Sequence, residues 1–507
     1  MFSLVVTSAA ASTLPPDALV CRDAIIGGGW AGVYFAYRRS QVAKAGDPPI
    51  CLFEASDRIG GRTYSVPPSV LKTPGGHDEF VLDVGAYRFS PDMHLPGDLI
   101  LNHLKLPTAC YEPTCPSAKD DFPPPFLFNY SAPLRRIVNP ATGLPSGYVG
   151  AIDHMLDRMD PATVKVFKQA ALLDIQLGEA SFMLSFGDNR TVRVPRAPAG
   201  GAVMLNLPRN KLLALPSLPA FAPARTMSML SCVKFDAPSS MFPNSTIDRA
   251  TALTKAYLYY EDAFWYTKLN LTIGQYPKNA FDPLPTSLGV YIGVHWNDGP
   301  VKCEGAARTK CSGYLQVYYA AQNETFYYGT TRAPDEPLGI TNAVGATRNE
   351  RQVLETVHAA LCEALSPVLK AKGIRSCSEL GAPSQLVVGA WSRPGAIPHD
   401  SGYTAPTKVY WAPSISGSVA NACGVPGLTD KEYRETVLQP FGRDKPVYLA
   451  NNDFVAQDVT YFYGDWAEET LTQSERALYR LGLPKPSWLN STYYHKHIVS
   501  VEAQSRV

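Results

Sequence analysis

Residues 23–63 read DAIIGGGWAGVYFAYRRSQVAKAGDPPICLFEASDRIGGRT. A short apolar strand, Ala24–Ile26, runs into Gly27-x-Gly29-x-x-Gly32, with Trp30 and Ala31 between the last two glycines. A helical pattern follows, then a second apolar strand that ends in Glu54-Ala55. This is a dinucleotide-binding fingerprint in its required strand–turn–helix context. Gly27 permits the tight turn, Gly29 lets backbone approach a pyrophosphate, and Gly32 lets helix and strand pack closely. The helix N-terminus offers free N–H groups to phosphates, and Glu54, 22 residues after Gly32, suits a ribose hydroxyl. The fingerprint does not choose between NAD and FAD.

The next residues bear on that choice. Arg58-Ile59-Gly60-Gly61-Arg62-Thr63 resembles the second FAD signature of the flavin amine oxidase superfamily, which includes monoamine, polyamine and L-amino-acid oxidases. A Gly-Gly turn flanked by two guanidiniums is also a sound pyrophosphate clamp on physical grounds. The resemblance implies a three-layer α/β FAD-binding Rossmann-like domain on a parallel sheet, with an inserted α+β substrate domain built on an antiparallel sheet. The expected boundaries are 21–90, 146–247 and 440–483 for the FAD domain, and 91–145 and 248–439 for the substrate domain. Residues 1–20 are read as a leader and 484–507 as a C-terminal tail.

Further along, Asp83-Val-Gly85-Ala86-Tyr87-Arg88-Phe89 resembles the stretch whose Gly-Ala backbone passes beside the flavin. L-amino-acid oxidases carry an arginine at the place of Arg88, and there it would pair with the substrate carboxylate; the alternative is a structural pair with Asp83. Leu172, in a strand read over Val166–Leu177, would lie against the adenine. Ala252–Trp265 resembles the segment whose lysine, here Lys255, holds a water at the flavin and assists reoxidation by O2. Trp391 opens the approach to the flavin site. Tyr403 and Trp466 match the two walls of an aromatic cage. Gly402 stands where monoamine oxidases carry the cysteine attached to flavin, so the resemblance implies non-covalent FAD. Asp465 and Ala467 lie at the start of an amphipathic helix read over Ala467–Leu481. The family's Gly-Glu is Asn451-Asn452 here; Asn452, or Asp453 shifted by one, would take the glutamate's bond to a ribityl hydroxyl.

Local patterns fill in the rest. Gly147–Met159 and Arg348–Leu369 read as helices. Phe182–Ser185 and Thr191–Val194 read as a hairpin turning at Gly187–Asn189. Leu288–Tyr328 alternates apolar and polar residues, as a strand-rich substrate domain would. Only about 60 residues separate Arg88 from Gly147, fewer than the family's lid insert needs.

The chain has 507 residues, 45% hydrophobic and 18% charged, with net charge +1. No nucleic-acid partner is implied by that balance, no apolar run spans a membrane, and no Cys/His group has zinc spacing, so no metal is expected. Six N-x-[ST] sequons, at Asn129, Asn189, Asn244, Asn270, Asn323 and Asn490, and ten cysteines suggest a secreted or lumenal protein, with a cytoplasmic location as the alternative. Cys110/Cys115, Cys303/Cys311 and Cys362/Cys377 have the spacing of short disulfide loops, while Cys51, inside its strand, reads as a free buried thiol. The expected function is an FAD-dependent oxidase acting on the carbon beside an amine, with an L-amino acid favoured and O2 as co-substrate. A monoamine or polyamine oxidase and a non-catalytic flavin protein are the alternatives. A homodimer is left open.

Overall fold

The computed structural model describes residues 18–111, 133–196, 200–231, 252–278, 280, 283–305, 307–320, 326–327, 337–392, 423–454 and 467–504. In chain order the elements that place the site are β1 (Asp23–Ile26), α1 (Trp30–Ser40), β2 (Ile50–Phe53), α2 (Gly150–Asp157), β3 (Val164–Phe167), β4 (Leu172–Leu177), β5 (Ser181–Phe186), β6 (Thr191–Pro195) and β7 (Val203–Leu205). They continue with β8 (Ala252–Tyr260), β9 (Cys311–Ala320), β10 (Leu338–Asn342), α3 (Arg348–Ala371), β11 (Gln385–Ser392), β12 (Val447–Leu449) and α4 (Ala467–Arg480).

Five strands form a parallel sheet in the order β12-β7-β1-β2-β3. Successive side chains of a strand point to opposite faces, and both faces here are apolar. Ile25, Leu52, Met204 and Tyr448 meet Val33, Ile152 and Leu478 of the helical layer. Ala24, Ile26, Phe53, Val203 and Leu449 meet Ile175, Phe182, Leu184 and Val192 of the antiparallel β4-β5-β6 meander. Burial on both sides explains why β2, and β1 after Asp23, are uninterrupted apolar runs. The chain leaves β1 toward β2 on one side and returns to β7 on the other. That switch point, at the carboxyl ends of the strands, is where open α/β sheets bind ligands.

The second sheet has seven strands, with β8 at its centre between β9 and β11, and β10 outside β11. α3 begins with a capping box, Thr347 with Glu350. Its Leu354, Val357, Leu361 and Leu365 cover Leu258, Leu315 and Val388 on one face. The opposite face puts Tyr257, Tyr259, Tyr314 and Val387 against Leu71, Phe80, Leu82 and Val84. The segment from Leu71 to Arg88 is therefore the seam between the two sheets.

Several sequence expectations are altered. The strand read over Val166–Leu177 is two strands, β3 in the parallel sheet and β4 in the meander, with Gln169 at positive φ between them. Cys51 is not a free thiol, because parallel pairing of β1 with β2 brings it to Cys21, and the two are joined. Cys303–Cys311 and Cys362–Cys377 are bonded as their spacing suggests, and Cys110 and Cys423 are also in disulfides. The residues after Pro484 do not trail as a tail. Ser491–Gln504 is helical, Tyr493 and Ile498 are buried against the helical layer, and Glu502 pairs with Arg476 and Arg480 of α4. Among the described residues no helix is long and apolar enough to cross a membrane.

Candidate functional site

The glycine turn is built by contacts that leave no room for side chains. Gly27 has φ +101°, and a Cβ there would lie 2.3 Å from the Asn206 carbonyl oxygen. A Cβ on Gly32 would lie 2.0 Å from the Gly27 carbonyl oxygen, so α1 presses directly on the turn. Gly29 is the N-cap of α1 without any side-chain cap; its Cα faces Gly61, so the two glycine signatures abut. Glu54 accepts the Gly28 N–H at 2.7 Å and the Ser56 N–H at 2.9 Å, which fixes its carboxylate at the lip of the turn. Ala31 is buried, whereas Ala55 is exposed. A backbone cradle that a Cβ would fill, with an uncapped helix end and a fixed carboxylate, fits a dinucleotide such as FAD.

The flanking side chains are placed less simply. Trp30 is buried and donates to Thr63 Oγ1 at 2.9 Å, so its indole braces the second signature. Arg58 folds back onto the Gly61 carbonyl at 2.8 Å and lies over the Tyr64 ring. Arg62 pairs with Asp453 at 3.2 Å and with the Asn451 amide oxygen at 3.0 Å. Asp453 also accepts the Arg209 N–H at 3.0 Å, and burial lifts its carboxyl above the usual range against the pull of Arg62 and Arg209. Asn452 is buried beside it. The two arginines read as a clamp are thus held by protein partners, Arg58 by the Gly61 carbonyl and Arg62 by Asn451 and Asp453. Leu172 opens β4, packed against the meander core. Asn206, not singled out in the sequence, borders both Gly27 and Gly29.

The seam carries the substrate-side candidates. Gly85 lies so close to the Arg62 backbone that a Cβ would sit 2.2 Å from its carbonyl, and the next residue, Ala86, is exposed. Trp391 donates to the Val84 carbonyl at 2.8 Å, latching β11 to this segment. Lys255, on β8, donates to the Gly85 carbonyl at 2.6 Å, with its ammonium 3.7 Å from the Tyr87 ring centroid. Burial pushes this ammonium down to about 7, against the pull of Asp83 and Asp298. Burial likewise lifts Asp83 to about 6, opposed by a hydrogen bond from Ser65 and the Lys255 charge.

Arg88 does not pair with Asp83, whose carboxylate instead accepts Ser65 Oγ and the Tyr148 N–H. The Arg88 guanidinium is 4.6 Å from the centroids of both Tyr87 and Tyr111, whose rings meet edge-on at 80°. Among the described residues no carboxylate lies within salt-bridge distance of it and no oxygen accepts from its N–H groups. Around it stand Tyr319, Arg136, His295 and Asp298, none of them singled out in the sequence. Burial pushes His295 down to about 4, against Asp298. Burial alone would raise Asp298, but His295, Arg136 and Arg88 outweigh it and hold the carboxyl low. The available signal was a His and an Asp three apart in an aromatic-rich stretch, with a double arginine at Arg135-Arg136. Tyr403, Asp465 and Trp466, like Gly402, lie outside the described residues.

The comparisons with known proteins agree with this architecture. Residues 25–95 match the family model for an NAD(P)-binding Rossmann-like domain. No curated protein sequence matches the chain. Wild-type putrescine oxidase bound to putrescine shares the fold with a TM-score of 0.50 at 14% identity, over 92% of this chain and 100% of that one. A cofactor-binding redesign of the same enzyme gives 0.49 at 14% identity, over 92% and 99%. The fold is one that putrescine oxidase shares, a mixed α/β architecture with a Rossmann-like nucleotide domain.

Proposed function

Starting from that fold, we propose that this protein is an FAD-dependent oxidase acting on the carbon beside the amine of an L-amino acid. The observation that carries the reading is Arg88. It is a buried guanidinium held over two tyrosine rings, with its N–H groups not taken up by protein acceptors among the described residues. A permanently charged planar fork in a dry site matches a carboxylate. The L configuration rests on the family resemblance.

Bound FAD, held non-covalently, would supply the two-electron oxidation of the amine carbon and the reaction with O2. Gly27, Gly29 and Gly61 would line the pyrophosphate, Glu54 the ribose, and Gly85-Ala86 the ring. Arg88 holds the substrate carboxylate, which fixes the distance from that anchor to the amine carbon and converts binding into orientation. Lys255 places a titratable cation on the same seam, at the Gly85 carbonyl, three residues before Arg88. The aromatic layer of Tyr87, Tyr111 and Tyr319 excludes water, which strengthens each charge contact.

A monoamine or polyamine is the second reading, since putrescine is the ligand bound in the structural neighbour. The cationic character of the Arg88 chamber argues against a second ammonium there. The disulfides, with Asn189, Asn270 and Asn490 on the surface, support a secreted glycoprotein. The deciding experiment is anaerobic bleaching of the oxidised-flavin band by L-amino acids, monoamines and polyamines. Bleaching confined to amino acids and lost in Arg88→Ala supports the proposal. Bleaching by amines without a carboxylate removes Arg88 from its role, and bleaching by none of them leaves a non-catalytic flavin protein.

A further inference from the structure

One buried carboxylate ties the arginine chamber together. Asp298 sits in the turn after the short strand Val294–His295. Its neighbour Gly299 has no room for a Cβ, which would lie 2.0 Å from the Tyr314 carbonyl oxygen, so the turn is pressed onto β9. The Asp298 carboxylate accepts the Tyr87 hydroxyl at 3.2 Å, and Tyr111 lies beside it. It faces His295 Nδ1 at 3.5 Å and Arg136 Nη2 at 3.8 Å, and Arg136 also donates to the Asn297 carbonyl at 3.3 Å. Tyr87, whose hydroxyl it holds, is one of the two rings over which Arg88 lies.

A hydrogen bond to a tyrosine hydroxyl adds to packing in restraining the tilt of the ring, and a charged acceptor in a dry site strengthens that restraint. Asp298 restrains Tyr87 in this way from the turn after Val294–His295. Arg88 rests on that ring.

We infer that Asp298 is a positioning residue for carboxylate selectivity: it orients Tyr87, and that ring aims the Arg88 guanidinium at the substrate carboxylate. The inference rests on the carboxylate-binding role given to Arg88 above. It assigns selectivity to a residue that does not itself touch substrate.

The test uses the full-length, FAD-loaded protein. One readout is the ratio of kcat/KM for an L-amino acid to that for its decarboxylated amine. The other is equilibrium binding of benzoate, followed by perturbation of the flavin spectrum. In Asp298→Asn the ratio is expected to fall about tenfold, as misaimed groups cost, with KM for the amino acid rising more than kcat falls and benzoate weakening in step. Tyr87→Phe keeps the ring beneath Arg88 and removes only the tie, so it should shift the ratio the same way by less. Asp298→Glu, which restores the charge, should recover part of it. Equal losses on both substrates, or an unmoved ratio in Asp298→Asn and Tyr87→Phe, overturn the inference. Benzoate weakened by Arg88→Ala but not by those two variants removes Asp298 alone. Benzoate bound equally well by Arg88→Ala removes the carboxylate role and this inference with it.

Discussion

The nucleotide turn and the arginine chamber are both candidate sites, yet they close over very different lengths of chain. Gly28 reaches Glu54 across 26 residues, inside one strand–helix–strand unit. Tyr87 reaches Asp298 across 211 residues, from the seam of one sheet to a turn of the other. The first site works with backbone and absent side chains, and its tolerance is set by sterics. The second works with buried charges on aromatic rings, and its tolerance is set by desolvation. A steric site should therefore fail abruptly, and an electrostatic one by degrees and with pH.

The largest effect is expected where there is no space. Gly32→Ala forces a Cβ against the Gly27 carbonyl, and should cost about 3 kcal/mol or more in chemical denaturation, since backbone cannot yield. The purified variant should also lack the flavin band. Normal FAD content and stability would show that the turn is not the steric site described. Next comes Arg88→Ala, expected to lower kcat/KM for L-amino acids by about 100- to 1000-fold, the worth of a lost charge-assisted pair. A loss below tenfold in steady-state assays would place the carboxylate elsewhere.

Two smaller tests use pH. Glu468, in the first turn of α4, accepts the Leu95 N–H, and burial lifts its carboxyl to about 7. A raised folded pKa means that stability is fully present below about 4.5, falls as pH rises through about 7, and is lowest above it. Glu468→Gln should therefore gain about 2 kcal/mol over wild type at pH 8 and almost nothing at pH 4.5, by urea unfolding at each pH. A gain independent of pH would assign the effect to packing. Lys255 carries the opposite sign. Its folded pKa of about 7 lies below the ordinary value, so its cation is present at lower pH and is lost as pH rises through about 7. Turnover at limiting O2 should fall about tenfold across that interval, the scale of one lost electrostatic contact, and Lys255→Met should be low and flat. A wild-type profile flat between pH 6 and 8 would remove Lys255 from the O2 reaction.

Much of the nucleotide half was legible because its information is local. The spacing of Gly27, Gly29 and Gly32 and the apolar runs of β1 and β2 act within one supersecondary unit. Even there, what depended on a third partner was not readable. The Cys21–Cys51 bond needs the parallel register of β1 with β2. The restraint of Arg62 needs Asp453, 391 residues away. In the chamber Arg88 was legible through a resemblance, whereas Arg136, His295 and Asp298 had no motif to mark them. The C-terminal helices were unreadable for a similar reason. Glu502 looks like a solvated charge until Arg476 and Arg480 of α4 are placed beside it.

The sequence by itself determined the strand–turn–helix that carries the glycine fingerprint, because that motif needs only glycine, a helix end and one acid at fixed spacing. Which charges are buried together, which arginine has no protein acceptor among the described residues and which carboxylate accepts the Tyr87 hydroxyl were decided by tertiary structure. Desolvation and Coulomb energies depend on distances through space, which spacing along the chain does not encode.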